Sequence, residues 1–590
     1  LPSSVSTKSI LTVLSLLIVP VTLLLVKGFS SERSQLINND STVENTISAE
    51  SPVKDKLIPF SDRRADLFLF PSTKYLRLDG SNLPKGLQAL KELRVRAAPG
   101  EYEPLSFLIS ANEDLENVEI SWNNFSGSTN ELSREVIDPY IVKVWYQAGI
   151  KNTDLKNKLL TQELLLKNDN LIKADEQLGT NFIKVQNESG EFEYIDISSP
   201  DAVFPEGVTI KDSRELQPFS IRTGKHKLIW LTLHIPQDQA AEVYSGTLNI
   251  RDTKGLLSEV PIEIEVLPFK FSPSILLYGI YYHGYYDNVS KRAFHFTNKN
   301  ENLYRTEMKD LKAHGIMYPT TYQILKHLHN DLRIRNEVGF PRDKLFSVGL
   351  KTGNPQAAGE LNKFENDIKR WKKKIQEYGY DTLFIYGIDE ARGALLKSQR
   401  PAWSQVHSTG AKVFVAGYYE TFQDMGDLLN IAIIQGPLDP EQARLYHSKG
   451  QRILSYSNPQ AGEENPEVYR RNFGLALWKA GYDGAMEYAY QKNYNSTWND
   501  FDHHKYREEN FTYPTSDGIV STIQWEGFRE GIDDVKYLST LLDRINQMKL
   551  RNLNTDDLEN WVSKINPDGD LDKIRSEIIN KILSTYSSGI

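Results

Sequence analysis

Cysteine is absent from the 590 residues. That single absence excludes disulfides, thiolate nucleophiles and cysteine-ligated zinc. A basic excess is missing too: 69 Lys+Arg face 78 Asp+Glu, for a formal charge of −9. Nucleic acid is thereby set aside as the main partner, since phosphate binding needs a basic footprint. GxSxG, P-loop and HExxH motifs do not occur, which weighs against serine-hydrolase, NTPase and zincin chemistry. His283 has no second ligand at metal spacing, and the neighbours His503 and His504 cannot readily turn both rings to one ion, so they read as a loop feature. Neither a metal nor another cofactor is expected.

What is present is apolar and aromatic. Hydrophobic residues make up 39% and aromatics 11%, with 30 Tyr; at roughly 150 residues per domain, two to four globular domains are expected. Residues 10–26 form an unbroken apolar run, ILTVLSLLIVPVTLLLV, at the short end of a bilayer-spanning helix. Residues 1–27 thus read as a signal peptide or a single membrane anchor, with the folded part exported. Residues 28–60 are rich in Ser, Asn, Asp and Glu and read as a flexible linker, since they cannot bury enough surface to offset ordering entropy. Asn124-Phe125-Ser126 and Asn288-Val289-Ser290 are glycosylation triplets that matter only in a host that glycosylates.

Between 61 and 268 short alternating runs recur at 105–109, 118–122, 137–145, 228–235, 246–250 and 262–266. Alternation at this spacing predicts half-buried strands of a β-sandwich. Residues 154–175 show helical spacing and read as an insertion. From 269 to 524 strand and helix alternate. Strands are expected at 277–283, 316–322, 345–350, 383–388, 413–417, 431–435, 453–457 and 485–490, with 332–346 hairpin-like. Eight strands in this length predict a (β/α)8 barrel; an open doubly wound sheet would often carry a Gly-rich loop after its first strand. Residues 525–590 read as helices packed on the barrel.

Barrel chemistry gathers at the carboxyl ends of strands. The apolar run 383–388 leads straight into Asp389 and Glu390. Glycosidic cleavage needs a protonated acid near the leaving oxygen and a second group that handles the cationic anomeric carbon. Adjacent carboxylates also repel, which raises a proton donor's pKa. Such acids also occur as plain solvated loop or helix-start residues. Other strand ends place His283, Tyr322, Tyr456, Asn458, Glu487 and Tyr488 where a sugar pocket would have them. Trp525 reads either as an aromatic cap on that pocket or as a residue that docks the last helix.

Three segments resemble bacterial proteins related to glycoside hydrolase family 123. They are residues 96–104 (RAAPGEYEP), Tyr386-Gly387-Ile388-Asp389-Glu390, and residues 525–534 (WEGFREGIDD). The resemblance spans about 65 to 545. It implies a β-sandwich followed by a (β/α)8 barrel, and retaining β-N-acetylgalactosaminidase activity assisted by the substrate's own acetamido group. On that pattern Glu390 is the general acid/base and Asp389 orients and stabilises the acetamido group. His283, Tyr322, Tyr456, Asn458, Glu487, Tyr488 and Trp525 are the position-based candidates for substrate contact. The family commonly has Pro after the acid pair, where this chain has Ala391. Two other readings stay open. One is a conventional pair of Glu390 with Glu487, about 5–5.5 Å apart, on a non-acetamido glycan. The other is a non-catalytic carbohydrate-binding or envelope-polysaccharide protein.

Overall fold

Strands that alternate apolar and polar side chains bury one face, and the N-terminal half is built from them. The computed structural model describes residues 63–587, apart from 75, 79–82, 150–152, 154, 156, 203, 206, 287–297, 463 and 493. The apolar run at 10–26, the linker and the Asn288 triplet lie outside the described residues. Among the described residues no helix is long and apolar enough to cross a membrane.

One N-terminal sheet has eight strands in the order Gln88–Ala89, Ala65–Phe70, Tyr102–Ala111, His226–His234, Ile137–Gln147, Leu159–Leu166, Ile519–Thr522 and Thr512–Pro514. A second runs Phe219–Ile221, Leu115–Ser121, Val243–Asp252, Gly255–Val266 and Leu93–Ala97. Phe107, Ile109, Ile229 and Leu231 of the first share one buried cluster with Leu248, Ile250, Ile262 and Ile264 of the second. Among the described residues of 154–175 there is no α-helix, only one 3-10 turn at Asp169–Leu171 between strands. Leu159–Leu166 is a strand inserted between Ile137–Gln147 and Ile519–Thr522, because its apolar run is long enough for either element and the neighbouring strands supply backbone partners on both edges. The last two strands of this sheet come from the far end of the chain, after the barrel.

The barrel strands are β1 Leu277–Ile280, β2 Tyr318–Pro319, β3 Lys344–Lys351, β4 Thr382–Tyr386, β5 Lys412–Gly417, β6 Ile431–Gln435, β7 Arg452–Tyr456 and β8 Gly484–Glu487. They pair in parallel in the order β2-β1-β8-β7-β6-β5-β4-β3. This is a nearly closed parallel eight-stranded barrel. Its remaining seam is bridged just past β2: Thr321 N donates to Phe346 O and Val348 N to Thr321 O, both at 2.8 Å. Strands covered on both faces read as unbroken apolar runs, as Leu383-Phe384-Ile385-Tyr386 does. The stretch 332–346 is no hairpin: helix Leu328–Val338 ends at Gly339, in the left-handed region at φ 87°, and the chain then enters β3.

The C-terminal segment is helical, with Ile523–Leu550, Asp556–Ser563 and Leu571–Ser587. Gly527 and Gly531 lie one turn apart and let the first of these helices touch the backbone of Pro466–Asn472. A Cβ on Gly527 would stand 2.3 Å from Pro466 O, and one on Gly531 2.6 Å from Arg470 O. Around this contact Arg470 donates to Asp534, while Arg575 donates to Asp534, Glu530 and Glu103. The network ties a barrel helix, both long terminal helices and an N-terminal strand together with little exposure to water. Close backbone packing of this kind does not yield to an added methyl. We expect Gly527→Ala to cost about 1–3 kcal/mol of unfolding free energy, read as a lowered denaturant midpoint, whereas Gly359→Ala, in open space at an ordinary backbone angle, does not lower it.

Candidate active site

The turn after β4 is held by its backbone. Gly387 N donates to Phe414 O and Glu390 N to Ala416 O, each at 3.0 Å. Ile388 N donates to Oε1 of the fully buried Gln399 at 2.7 Å, and the Trp403 indole donates to the same oxygen at 3.3 Å. These bonds keep Glu390 at φ 48°, in the left-handed region, where a side-chain-bearing residue costs roughly 1–2 kcal/mol. With Ala391 after the acid pair, the direction of the turn is set by these contacts.

Both acids are solvent-exposed at the carboxyl end of the barrel, and tyrosines from other strands reach them. The Tyr386 hydroxyl donates to Asp389 Oδ1 at 2.6 Å and lies 2.8 Å from the Tyr281 hydroxyl. Tyr418, just after β5, donates to Glu390 Oε2 at 2.7 Å, and Tyr456, the last residue of β7, donates to Oε1. Arg392 lies 3.5 Å over the Tyr418 ring. Asp389 is held above the usual aspartate range. Its partial burial contributes most and Glu390's charge adds to it, against the lowering Tyr386 hydrogen bond. Burial and the nearby carboxylates push the Tyr386 and Tyr456 hydroxyls upward, so these phenols remain donors at neutral pH.

Aromatic rings line the neighbouring strand ends. His283 stacks on Tyr322 with centroids 4.4 Å apart, and Tyr488 meets His283 at 5.3 Å and Tyr281 at 5.4 Å. Burial, then the charges of Lys492 and Lys351, lower His283 to about 3. It is a neutral imidazole. Among the described residues no three His, Asp or Glu side chains cluster to hold a metal.

Three of the expected contact residues are placed otherwise. Glu487 is fully buried beneath the β7 end: its Oε2 accepts from Ser457 N at 2.8 Å, and burial raises it well above the glutamate range. A fully buried carboxyl held by a backbone amide is not an open partner for Glu390. Asn458 turns toward helix Pro466–Asn472 and accepts from Asn472 Nδ2 at 3.1 and 3.3 Å. Trp525 is fully buried, stacks on His314 and donates from its indole to Asp310 at 3.0 Å. It docks the long helix and caps no sugar. Conversely, Tyr281, Tyr386 and Tyr418 touch or support the acids and are not among the contact residues expected from sequence, although all three stand at predicted strand ends. Their positions at the ends of β1, β4 and β5 were the available signal.

A cavity of about 1040 Å³ lies elsewhere, at the opposite end of the barrel, lined by the starts of β1, β2, β3 and β7 and by N-terminal residues such as Tyr102 and His234. It contains neither acid.

An acid pair presented on tyrosines at the carboxyl end of such a barrel is an arrangement for acid-assisted cleavage of a glycosidic bond. Residues 351–541, about a third of the chain, match the family model described as the catalytic domain of glycoside hydrolase 123, and the match carries both acids; the chain is a glycoside hydrolase that resembles this family over that stretch. A family 123 glycoside hydrolase from Clostridium perfringens, described as hydrolysing glycolipid glycans, superposes with a TM-score of 0.61 at 12% identity, covering 89% of this chain and all of that one. At that identity the likeness is one of fold. A family 39 glycoside hydrolase from Bacteroides cellulosilyticus aligns more loosely, with a TM-score of 0.33 at 10% identity over 67% of this chain and 83% of its own. No curated protein matches the chain.

The Tyr386 hydrogen bond stabilises the ionised form of Asp389, so removing it favours the proton. In Tyr386→Phe the Asp389 carboxyl should titrate at higher pH than in the wild type, measured by carbon-13 NMR of labelled aspartate.

Proposed function

We propose that the protein is an exported, retaining glycoside hydrolase that cleaves a β-linked 2-acetamido sugar of the N-acetylgalactosaminide kind by substrate-assisted catalysis. The observation that carries this reading is the division of surroundings between two consecutive acids. Glu390 is held at both oxygens by phenols of β5 and β7 that can be exchanged for a leaving oxygen. Among the described residues Asp389 is held at one oxygen, by Tyr386, which leaves Oδ2 for a substrate N–H.

In this mechanism Glu390 gives its proton to the leaving glycosidic oxygen. The acetamido carbonyl oxygen attacks the anomeric carbon, the glycosidic bond breaks, and an oxazolinium forms. Asp389 accepts the acetamido N–H and stabilises the positive charge that develops there. Water, deprotonated by Glu390, then opens the ring at the anomeric carbon and restores the acid. Because the sugar supplies its own nucleophile, a second carboxylate across the ring is not required. The buried, raised Glu487 favours this route over a Glu390–Glu487 pair. His283, Tyr322 and Tyr488 form the aromatic wall that would receive the sugar. Export rests on the apolar run at 10–26. The two N-terminal sheets we read as a β-sandwich, on the strength of the core residues they share.

On aryl β-N-acetylgalactosaminide, Glu390→Gln should lower kcat/KM by about 10²–10⁴-fold. Asp389→Asn should lower it by about 10²–10³-fold. An Asp389→Asn enzyme that keeps its rate on the acetamido sugar removes the substrate-assisted assignment. A wild type that binds the sugar but never turns over any aryl glycoside removes hydrolysis itself.

A further inference from the structure

A phenol carries one proton to donate, and the surroundings of Tyr386 decide where that proton points. Tyr386 is the last residue of β4 and Tyr281 the first beyond β1, three places away across the bridged seam. Both rings are buried and meet edge to face with centroids 5.8 Å apart, and their hydroxyl oxygens lie 2.8 Å apart. The Tyr386 oxygen also receives the Ala416 N–H of β5 at 3.3 Å and stands 2.6 Å from Asp389 Oδ1.

One assignment of protons satisfies all four groups. An ionised carboxylate has no proton, so Tyr386 must donate to Asp389. Tyr281 then donates to Tyr386, since two hydroxyl oxygens at hydrogen-bond distance need a proton between them. With the Tyr386 proton turned to Tyr281 instead, two sets of lone pairs would face each other across the bond to Asp389, at a cost that burial raises. Among the described residues Tyr386 is the one hydrogen-bond partner of the Tyr281 hydroxyl. The Ala416 amide can only donate, so it fills one acceptor position of Tyr386 and Tyr281 fills the other.

This chain of donors bears on Asp389. A hydroxyl whose oxygen accepts a hydrogen bond donates its own more strongly. With its acceptor positions taken, Tyr386 cannot turn to accept a proton from a neutral Asp389. Its donation favours the carboxylate, against burial and the Glu390 charge, and Lys351, paired with Tyr386 in the β3–β4 register, acts in the same direction. Tyr322, Tyr456 and Tyr488 also lie within reach of the Asp389 charge, and burial keeps these phenols neutral.

We propose that Tyr281 is a positioning residue of the acid-pair site: by donating to Tyr386 it fixes that phenol as a donor to Asp389 Oδ1, so that Asp389 stays an ionised acceptor with Oδ2 for the acetamido N–H. This rests on the glycosidase reading above, in which Asp389 takes up that N–H.

Tyr281→Phe keeps the ring and removes only the hydroxyl. The Asp389 carboxyl, followed by carbon-13 NMR of labelled aspartate and assigned with Asp389→Asn, should then titrate about half a unit higher than in the wild type. The acid limb of kcat/KM on aryl β-N-acetylgalactosaminide should move up by the same amount, which lowers the rate about threefold on that limb and less than about twofold above it. Added to Tyr386→Phe, the same change should shift Asp389 no further, because the relay is already cut. A ring that merely packs the barrel would alter stability and leave the titration in place. An unmoved Asp389 in Tyr281→Phe, or an equal extra shift in the double variant, overturns the proposal. A moved titration in a protein that turns over no aryl glycoside upholds the relay and sinks the hydrolase reading. An unmoved one in an active enzyme sinks the relay alone. Where thermal melts show that Tyr281→Phe does not fold, neutron diffraction from the unsubstituted protein decides. The Tyr281 proton is expected on the line to Tyr386, and a Tyr386 proton pointing at Tyr281 overturns the relay.

Discussion

The hydrogen bond from Tyr456 to Glu390 joins side chains whose strands, β7 and β4, are three places apart in the sheet. On a flat sheet those strands would stand about 14 Å apart. Only curvature brings the two groups together. The barrel's near-closure, bridged at its last seam by Thr321, Phe346 and Val348, is therefore the constraint on which the site depends. A sheet that stayed open would leave Asp389 and Glu390 as ordinary loop acids, with no phenols to hold them.

Burial then sorts the carboxyl groups that share this region. Asp389 and Glu390 remain in contact with water, while Glu487, one strand beyond Tyr456, is enclosed and held by the Ser457 amide. All three follow apolar strands and look alike in one dimension. In three dimensions two are presented and one serves to fix the end of β7. The phenols around them carry raised hydroxyls, so they stay protonated and donate hydrogen bonds to the carboxylates.

The barrel was legible because strands covered on both faces must be continuously apolar, and the run 383–388 announces both β4 and the acids that end it. The long helix was legible from residues 525–534, whose glycines and charges are explained by backbone contact with Pro466–Asn472 and by the Arg470–Asp534–Arg575 network. Other features were not readable. Residues 159–166 are equally apolar for helix or strand, and only the partners on each side decide. Trp525 carries no mark that distinguishes a sugar platform from a core ring stacked on His314. Tyr281 and Tyr418 are ordinary tyrosines until the barrel curves and sets one against Tyr386 and the other against Glu390.

The strands Thr512–Pro514 and Ile519–Thr522 leave the barrel only to complete the N-terminal sheet, next to Leu159–Leu166. The two halves of the molecule are laced rather than strung in series. A gene fusion or exchange that swapped everything before residue 268 for an unrelated partner would strip those strands of their neighbour and expose a bare sheet edge. An exchange that keeps the sheet whole has to move both halves together.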